Sequence, residues 1–336
     1  MNASPASLFF EALDPSAAPI VVIPVPFDAT CSFRRGSARG PEAIRLASPQ
    51  CDEVDASFGV IDSPGAGWLA PPAWIAEESH RVGKLAQPIV DQGAARPEDA
   101  SALAEINQAS ARVNEYVRSA VAGVLARGAI PALIGGEHSV SLGGIEACAA
   151  AVPSLGLLQI DAHMDLRRSY LGMEQSHASV MDNALRRCAN ISTLVQIGIR
   201  DFGTEEKARV EELGGRVRTH FDDALRIGPG DGGSRWREIL EPLPEAIYLT
   251  VDIDGLDPSL CPDTGTPVPG GLTWRELTSL LAAVRDSGRR VVGFDLVEVA
   301  PGRTTMPDLY HEDFNAIVGA RVLQRLCVVA RATQPS

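Results

Sequence analysis

Several features that mark common protein classes are missing from this chain of 336 residues. No uninterrupted apolar run approaches the roughly 18 residues of a membrane-spanning helix, so we expect no membrane insertion. No G-x-G-x-x-G sequence follows a predicted strand, so dinucleotide binding has no support. A Pro/Gly/Ser-rich linker and an internal repeat are also absent, and we therefore expect a single domain over residues 1–336.

Positive charge is in short supply. Against 43 aspartates and glutamates the chain has 30 lysines and arginines, which gives a formal net charge of −13. Surfaces that bind nucleic acid or anionic membranes rely on clustered basic side chains, so we expect neither partner. The acidic balance suits a small cationic ligand instead, although several of the carboxylates lie in motifs where a bound metal would neutralise them.

Paired cysteines are absent as well, since none of the six cysteines belongs to a C-x-x-C pair. In a chain of this length, scattered cysteines are typical of reduced, mostly buried thiols in a cytosolic protein. Residues 1–19 have no basic start and only a short apolar run, unlike a secretory signal. We therefore expect a cytoplasmic protein with a loosely ordered segment over residues 1–19.

Strand-like and helix-like patterns alternate from Ile20 to Val329. This alternation is typical of an α/β fold in which helices cover a mainly parallel sheet. The least regular stretch is 63–101, which contains Pro64, Pro71, Pro72, Pro88 and Pro97. We expect a long irregular insertion with short helical pieces there, covering the site or an oligomer contact.

Three short motifs hold the acidic residues and histidines that carry chemistry. They are GGEHS at 135–139, DAHMD at 161–165 and DIDGLDP at 252–258. Each motif directly follows a short apolar run that predicts a buried strand. In α/β proteins the functional site lies beyond the carboxyl ends of the strands, so the three motifs are expected to meet at one edge of the sheet.

The candidate metal ligands in these motifs are His138, Asp161, His163, Asp165, Asp252 and Asp254. Side chains two residues apart at an extended strand end point the same way, so neighbours within a motif can converge. Six ligands are too many for one tetrahedral zinc ion, and an oxygen-rich set with some imidazole suits manganese. Nickel or cobalt would bind such ligands at least as well. If Asp161 and Asp252 bridge two ions, each ion obtains about four protein ligands and shares a water that ionises near neutral pH.

The three motifs, in this order and at these separations, resemble those of the ureohydrolase family, which contains arginase and agmatinase. The resemblance also covers SFRRGSARGPEAIR at 32–45, SHAS at 176–179, TGTPVPGGLT at 264–273 and FDLVEVAP at 294–301. It implies a three-layer α/β/α arginase-like fold, two Mn²⁺ ions and a small cationic guanidino substrate. It further implies a homo-oligomer, a trimer or a hexamer. The hypothesis for the ligands is that His138, Asp161, Asp165 and Asp252 hold one ion, and Asp161, His163, Asp252 and Asp254 the other.

The same resemblance implies catalytic roles for His177 and Glu298. His177 follows the first serine of SHAS and is expected to give a proton to the leaving amine, since an unperturbed histidine has a pKa of about 6.5. Its alternative role is to stabilise the start of a helix. Glu298, in FDLVEVAP, matches the glutamate that pairs with the substrate guanidinium, and its alternative is a salt bridge to a nearby arginine.

The residues around the motifs bear on the substrate. Arginases have an acidic residue where this chain has Gly203, and the 166–176 loop lacks their carboxylate-binding pattern, so agmatine is favoured over arginine. The segment 301–315 differs from agmatinases and is predicted to border the pocket, and Arg167 and Arg168 could face a substrate carboxylate. Guanidinobutyrate, guanidinopropionate, guanidine and arginine therefore stay open as substrates. Two alternative functions outside guanidino hydrolysis are a metal-dependent amide deacetylase that uses one zinc ion and a catalytically silent subunit.

Overall fold

The computed structural model describes residues 8–9, 11–61, 63–225 and 232–335. Its strands are β1 (Ile20–Val25), β2 (Val54–Asp55), β3 (Gly59–Val60), β4 (Ala66–Trp68), β5 (Ile130–Gly135), β6 (Leu155–Ile160), β7 (Ile191–Ile199), β8 (Val217–Phe221), β9 (Ala246–Asp252) and β10 (Arg290–Val297). Eight of these strands form one sheet in the order β4-β1-β5-β10-β9-β6-β7-β8. Every strand pairing in that sheet is parallel, whereas β2 and β3 form a separate antiparallel pair.

Helices connect the strands. They are α1 (Gly40–Ala47), α2 (Ala73–Gln92), α3 (Ala100–Leu125), α4 (Ser141–Ala150), α5 (Val180–Arg187), α6 (Thr204–Leu213), α7 (Asp222–Leu225), α8 (Gly232–Leu240), α9 (Trp274–Arg285) and α10 (Phe314–Ala332). Short 3-10 turns lie just before α4, at His138–Val140, and just before α5, at His177–Ser179. No helix among the described residues is long and apolar enough to span a membrane.

Two hydrophobic cores lie on opposite faces of the sheet, because alternate strand residues point to opposite sides. In β1, Ile20 and Val22 belong to one core, and Val21 and Ile23 to the other. Buried residues of α1, α8, α9 and α10 complete the first core, and those of α2, α3, α4 and α5 complete the second. The expected three-layer α/β/α architecture with a parallel sheet is thereby confirmed.

The expected irregular insertion at 63–101 is wrong. The segment holds β4 and the 20-residue helix α2, with Pro72 at the N-cap and Pro88 inside. An interior proline costs a helix about 3 kcal/mol, and the burial of one face of α2 against α3 offsets that cost. Proline therefore marks the start of a helix in this segment and is tolerated within it.

The N-terminal segment is more ordered than expected where the structure describes it. Residues 1–7 and 10 of the expected loose segment 1–19 lie outside the described residues. Leu8 and Phe9 are buried, and Leu13 forms a parallel bridge with Gly67 of β4. Leu13 therefore lies at the edge of the sheet beside β4, and Leu8 and Phe9 belong to the first core, which corrects the expectation for residues 8–9 and 13.

Candidate metal centre

The sequence motifs lie at the carboxyl ends of four adjacent central strands, β5, β10, β9 and β6. His138 follows β5, Asp161 follows β6, Asp252 is the last residue of β9, and Glu298 follows β10. The turn after β5 needs glycine, because a Cβ on Gly136 would lie 2.0 Å from the carbonyl oxygen of Phe27. Because this turn packs closely against the end of β1, the GGEHS motif lies at the same edge of the sheet as the other motifs.

His138 lies among three carboxylates. Its Nδ1 is 2.9 Å from Oδ2 of Asp165, 3.1 Å from Oδ2 of Asp161 and 3.5 Å from Oδ2 of Asp252. Nδ1 has no hydrogen-bond partner among the described residues, whereas Nε2 lies 2.8 Å from Oγ1 of Thr250. The two ring nitrogens therefore have different surroundings, and Nδ1 is the one that faces the acidic cluster.

His163 meets a second pair of carboxylates. Its Nδ1 is 3.1 Å from Oδ2 of Asp254 and 3.5 Å from Oδ1 of Asp161. Two groups of potential ligand atoms, each within 4.8 Å of one another, result: His138, Asp161 and Asp252 in one, and Asp161, His163 and Asp254 in the other. Asp161 is common to both groups. Asp165 lies next to the first group, because its Oδ2 is close to Nδ1 of His138. The structure thus brings all six candidate ligands of the sequence together.

The charges at this site fit divalent cations. Burial raises the pKa of Asp252 well above its usual range, and the neighbouring Asp254 and Asp161 raise it further. Burial, together with the charge of Asp161, raises the pKa of Asp165 to about 7. Burial lowers the pKa of His138, but the carboxylates of Asp161, Asp165 and Asp252 beside its ring outweigh burial and raise that pKa well above normal. Buried carboxylates at this density need cations beside them, and two divalent ions would meet that need with ligands of suitable chemistry.

Two residues of the site have a left-handed backbone. Asp165 has φ 55° and Glu298 has φ 61°, a region that side chains other than glycine rarely adopt. Such a conformation costs on the order of 1–3 kcal/mol and persists where surrounding contacts fix it. The carbonyl oxygen of Asp165 accepts hydrogen bonds from the N–H groups of Met181 and Asp182, and the N–H of Glu298 donates to Gly136. The strain therefore falls at two positions where a side chain is turned toward the site.

His177 lies beside this cluster, as the sequence predicts, but its pKa differs from the expected 6.5. Its Nε2 is 3.1 Å from Oγ of Ser32, and its ring meets the Tyr170 ring edge to face at 6.0 Å. Partial burial and the neighbouring His163 imidazole lower the pKa of His177 to about 4. The ring is therefore neutral at neutral pH and can accept a proton before it donates one.

Glu298 is buried and points one oxygen at the backbone. Its Oε1 accepts a hydrogen bond of 2.9 Å from the N–H of His138, while Oε2 has no partner among the described residues. A Cβ on Gly265 would lie 3.3 Å from that Oε2. Burial and the charge of Glu137 raise the pKa of Glu298 well above normal. The salt bridge to arginine that was its alternative is not made among the described residues, so Oε2 can accept a hydrogen bond from a group outside the protein.

Glu137 ties the loop after β1 to the site. It accepts hydrogen bonds from the N–H and the hydroxyl of Thr30, at 2.8 and 2.6 Å, and from the hydroxyl of Ser139 at 2.6 Å. Burial raises the pKa of Glu137 to about 7, although these hydrogen bonds oppose the shift. Since Ser32 lies two residues after Thr30, this carboxylate fixes the loop that contacts His177.

An open cleft with about 540 Å³ of empty space leads to the cluster. Its lining includes His163, Asp165 and His177 from the candidate site, together with Ser32, Arg167, Tyr170, Ala178, Asp201, Phe202, Glu206 and Thr266. Glu298 is not among the lining residues, so a substrate that reaches it has to extend deeper than this cleft. No residue of 301–315 lines the cleft, so the prediction that this segment borders the pocket is wrong for the opening described here.

The rim of the cleft is acidic. Arg167 contacts the carboxylates of Glu205 and Glu206 and stacks over the Tyr170 ring at 4.9 Å, so its charge is compensated within the protein. Arg168 is exposed and does not line the cleft. The carboxylate of Asp201 has no hydrogen bond or ion pair among the described residues. A cationic tail therefore suits this rim better than a carboxylate.

Sequence reasoning missed three residues that touch the site. Ser32 contacts His177, Glu137 fixes the loop of Ser32, and the hydroxyl of Thr266 donates to Oδ2 of Asp254 at 3.0 Å. Ser32 and Thr266 lie in the SFRRGS and TGTPVP segments, and Glu137 lies inside GGEHS. The signal was present in those motifs, but no chemical role distinguished these three residues from their neighbours.

Comparison with known proteins agrees with this geometry. A family model described as "Arginase family" matches residues 18–328. An N(1)-aminopropylagmatine ureohydrolase of Thermus thermophilus is 33% identical over 286 residues, which are 84% of this chain and 83% of that protein. The structure of an agmatine ureohydrolase from Thermoplasma volcanium is similar with a TM-score of 0.71 at 27% identity, covering 95% of this chain and 92% of the other. The proclavaminate amidino hydrolase of Streptomyces clavuligerus has a TM-score of 0.72 at 25% identity, covering 99% of both chains.

These similarities extend over nearly the whole chain and include the strands that carry the candidate ligands. They confirm the expected relationship to arginases and agmatinases, and with it the expectation of a hydrolase for guanidino compounds. The chain belongs to the arginase family.

Proposed function

We propose that this protein hydrolyses a guanidino compound to urea and an amine at a centre of two divalent cations, with Mn²⁺ as the favoured ion. The observation that carries the proposal is the pair of ligand groups that share Asp161. His138, Asp161, Asp165 and Asp252 would hold one ion, and Asp161, His163, Asp252 and Asp254 the other. Two such ions, when bound, would lower the pKa of water and so supply hydroxide near neutral pH.

The protein's own residues supply orientation and proton transfer. The unpartnered Oε2 of Glu298 is suited to accept hydrogen bonds from a guanidinium and to hold its carbon next to the ligand cluster. His177, neutral at rest, accepts the proton released from water and then donates it to the departing amine. With a pKa of about 4, its protonated form is a strong enough acid to protonate that amine.

Agmatine is the favoured substrate. The rim of the cleft offers Asp201, and Arg167 is already paired with Glu205 and Glu206, so a substrate with a distal ammonium group is favoured over one with a distal carboxylate. The relatives named for agmatine and for N(1)-aminopropylagmatine support the same class. N(1)-aminopropylagmatine is the second candidate, because the cleft is open and leaves room for a longer tail.

A panel of substrates tests this proposal. Urea release is measured with agmatine, N(1)-aminopropylagmatine, arginine, guanidinobutyrate, guanidinopropionate and guanidine, with Mn²⁺ and with Ni²⁺ in separate series. We expect kcat/KM to be highest with agmatine or its aminopropyl derivative, and higher with Mn²⁺ than with Ni²⁺. Acetate release from acetylated amines without urea release would instead identify a deacetylase, and no product from any of these compounds would indicate a silent subunit.

The metal centre is tested separately by Asp254→Asn. This substitution removes a ligand from the group with His163 and should lower bound metal and urea release together. Metal content is measured by elemental analysis of the purified protein. Full activity of the wild-type protein in metal-depleted buffer would contradict the mechanism.

A further inference from the structure

Five polar residues lie side by side across five neighbouring strands, just below the candidate ligands. In the order of the sheet they are Thr219 of β8, Gln196 of β7, Gln159 of β6, Thr250 of β9 and Asp295 of β10. Each is the register partner of the next, so their side chains point to the same face. All except Thr219 are completely buried. We call these five residues the polar row.

The polar row is one pleat away from two candidate ligands. Asp161 comes two residues after Gln159, and Asp252 comes two residues after Thr250, so the ligands follow the row on the same face of the sheet. Two residues before the row, the strands β8, β7, β6 and β9 carry apolar register partners: Val217, Leu194, Leu157 and Tyr248. At these positions the same face of the sheet packs with apolar or aromatic side chains. The sheet therefore does not need buried polar side chains for its stability, and the polar row calls for another explanation.

One arm of the polar row leads to Asp161. The hydroxyl of Thr219 donates to Oε1 of Gln196 at 2.8 Å, and Nε2 of Gln196 donates to Oε1 of Gln159 at 2.7 Å. Nε2 of Gln159 then donates to Oδ2 of Asp161 at 2.8 Å. The orientation of Gln196 is fixed, because its Nε2 also donates to the carbonyl oxygen of Met164, which can only accept. Every donor in this arm therefore points toward Asp161.

The other arm leads to His138. The backbone N–H of Val251 donates to Oδ1 of Asp295 at 3.3 Å, so that oxygen is an acceptor, and the Thr250 hydroxyl donates to it at 2.8 Å. With its proton committed to Asp295, the Thr250 oxygen offers only a lone pair to Nε2 of His138, 2.8 Å away. Nε2 must then carry a proton, and Nδ1 is the nitrogen left to meet a cation.

We propose that the polar row positions the ligands from behind. Asp295, acting through Thr250, fixes Nδ1 of His138 as the coordinating nitrogen, and Gln196, acting through Gln159, fixes the Asp161 carboxylate. The inference rests on the metal centre proposed above. These four are positioning residues, and their loss is expected to weaken metal binding by about 10- to 100-fold, the usual effect of removing a partner of a metal ligand.

The His138 arm is tested by titrating metal-free protein with Mn²⁺ in a calorimeter. Thr250→Val removes the hydroxyl at constant volume and should weaken Mn²⁺ binding, whereas Thr250→Ser retains the hydroxyl and should bind like wild type. Asp295→Leu should lose affinity, whereas Asp295→Asn retains an acceptor oxygen and should keep most of it. Because Asp295 acts only through Thr250, adding Asp295→Leu to Thr250→Val should cause no further loss in affinity.

The Asp161 arm gives a different pattern. Asp161 belongs to both ligand groups and His138 to one. Gln159→Met should therefore weaken both Mn²⁺ sites, while Thr250→Val should weaken one. Thr193→Val is the matched control, since Thr193 is a buried strand residue of β7 whose hydroxyl donates to the carbonyl of Pro242, away from the ligands. It should leave both affinities unchanged.

The outcomes separate the two proposals. If wild type binds no Mn²⁺, the metal centre is wrong and the polar row has no ligand to position. If wild type binds two ions and Thr250→Val and Gln159→Met bind them equally well, the inference about the row is overturned while the metal centre stands. Equal losses in Thr250→Ser and Thr250→Val would also overturn it, because the hydroxyl would then have no role. Circular dichroism of each metal-free variant verifies that the comparison is between folded proteins.

Discussion

Oγ of Ser32 lies 3.1 Å from Nε2 of His177, so the loop after β1 meets the turn before α5 at the candidate proton carrier. That loop is held by Glu137, which accepts two hydrogen bonds from Thr30. His177 is thus supported by residues other than the candidate ligands. Its chemistry and metal binding can therefore be separated by substitution.

Replacing His177 by Gln should reduce kcat for the preferred substrate by about 10²- to 10⁴-fold, the usual range for loss of a general acid–base group. Bound metal should stay at the wild-type level, since His177 belongs to neither ligand group. Steady-state urea release and elemental analysis give the two readouts. Ser32→Ala, which removes one hydrogen bond, should lower kcat by only about fivefold. Wild-type kcat in the glutamine variant would exclude His177 as the proton carrier.

The lowered pKa of His177 makes a prediction for stability against pH. In the unfolded chain this histidine titrates near 6.5, and in the folded protein near 4, so the unfolded state binds more protons between those values. Stability of the metal-free protein should therefore include a part that is present above about pH 6.5 and is lost as the pH falls toward 4. Thermal melts of wild type and His177→Gln are compared across this pH range, and the difference between their melting temperatures measures the contribution of His177. A difference that does not change with pH would contradict the shift.

Glu298→Gln tests the guanidinium contact. The amide can keep the hydrogen bond from the N–H of His138 but loses the negative charge at the second position. We expect kcat/KM to fall by at least about 30-fold, since removing one partner of a buried charge pair costs about 2–5 kcal/mol. Because burial raises the pKa of this carboxyl, the neutral variant should melt no lower than wild type. A variant with wild-type kcat/KM would show that the substrate does not use Glu298.

Gly265→Ala probes the space beside Glu298 without altering any charge. The added Cβ would lie 3.3 Å from Oε2 of Glu298 and 3.2 Å from the carbonyl oxygen of Arg34, so the methyl group narrows access to that oxygen. We expect kcat/KM to fall by about 10- to 100-fold through displacement of the guanidinium, with bound metal unchanged. Gly123→Ala, on the open surface of α3, is the matched control because its Cβ meets no atom within 4 Å. Equal kcat/KM values for the two alanine variants would show that the guanidinium does not bind beside Oε2 of Glu298.

Asp201→Asn tests the preference for a cationic tail. The loss of one charge at the exposed rim should raise KM for agmatine by a few-fold, in line with about 0.2–1 kcal/mol for an exposed ion pair, and leave kcat unchanged. KM for guanidine, which has no tail, should not change. The experiment is done at low and at high salt, because the effect on agmatine should shrink at high ionic strength. An equal change in KM for both substrates would show that Asp201 does not interact with the cationic tail of agmatine.

The sequence was sufficient to predict the parts of this site that depend on local order. His138, Asp161 and Asp252 each adjoin an apolar strand, and a parallel sheet brings the carboxyl ends of its strands to one edge. That these three residues lie close together can therefore be predicted without knowing the order of the strands. The same reasoning did not extend to Ser32, because its partner His177 is 145 positions away and nothing local specifies the pairing.

The parts that depend on neighbouring strands were out of reach of the sequence. Thr250 and Asp295 are register partners only because β10 lies beside β9, an order that neither segment encodes locally. The helix α2 is a different case, because the number of prolines in this segment argues against a helix whereas their positions permit one. Pro72 precedes the first turn, and Pro88 is the single proline within the helix.

The position of β10 has a consequence for the order of assembly. β10 is the last of the sheet's strands in sequence, yet it lies in the middle, between β5 and β9. Without it the sheet falls into two blocks, β4-β1-β5 with His138 at its tip and β9-β6-β7-β8 with the four ligand aspartates and His163.

During synthesis the two blocks cannot be joined until β10 has left the ribosome, and such long-range strand pairing forms slowly. A nascent chain that has completed only β1–β9 has the four ligand aspartates in one block and His138 in the other, so the first ligand group is not yet assembled. The first ligand group is therefore assembled only when the last strand of the sheet is in place, so an ion bound by that whole group would report completion of the fold.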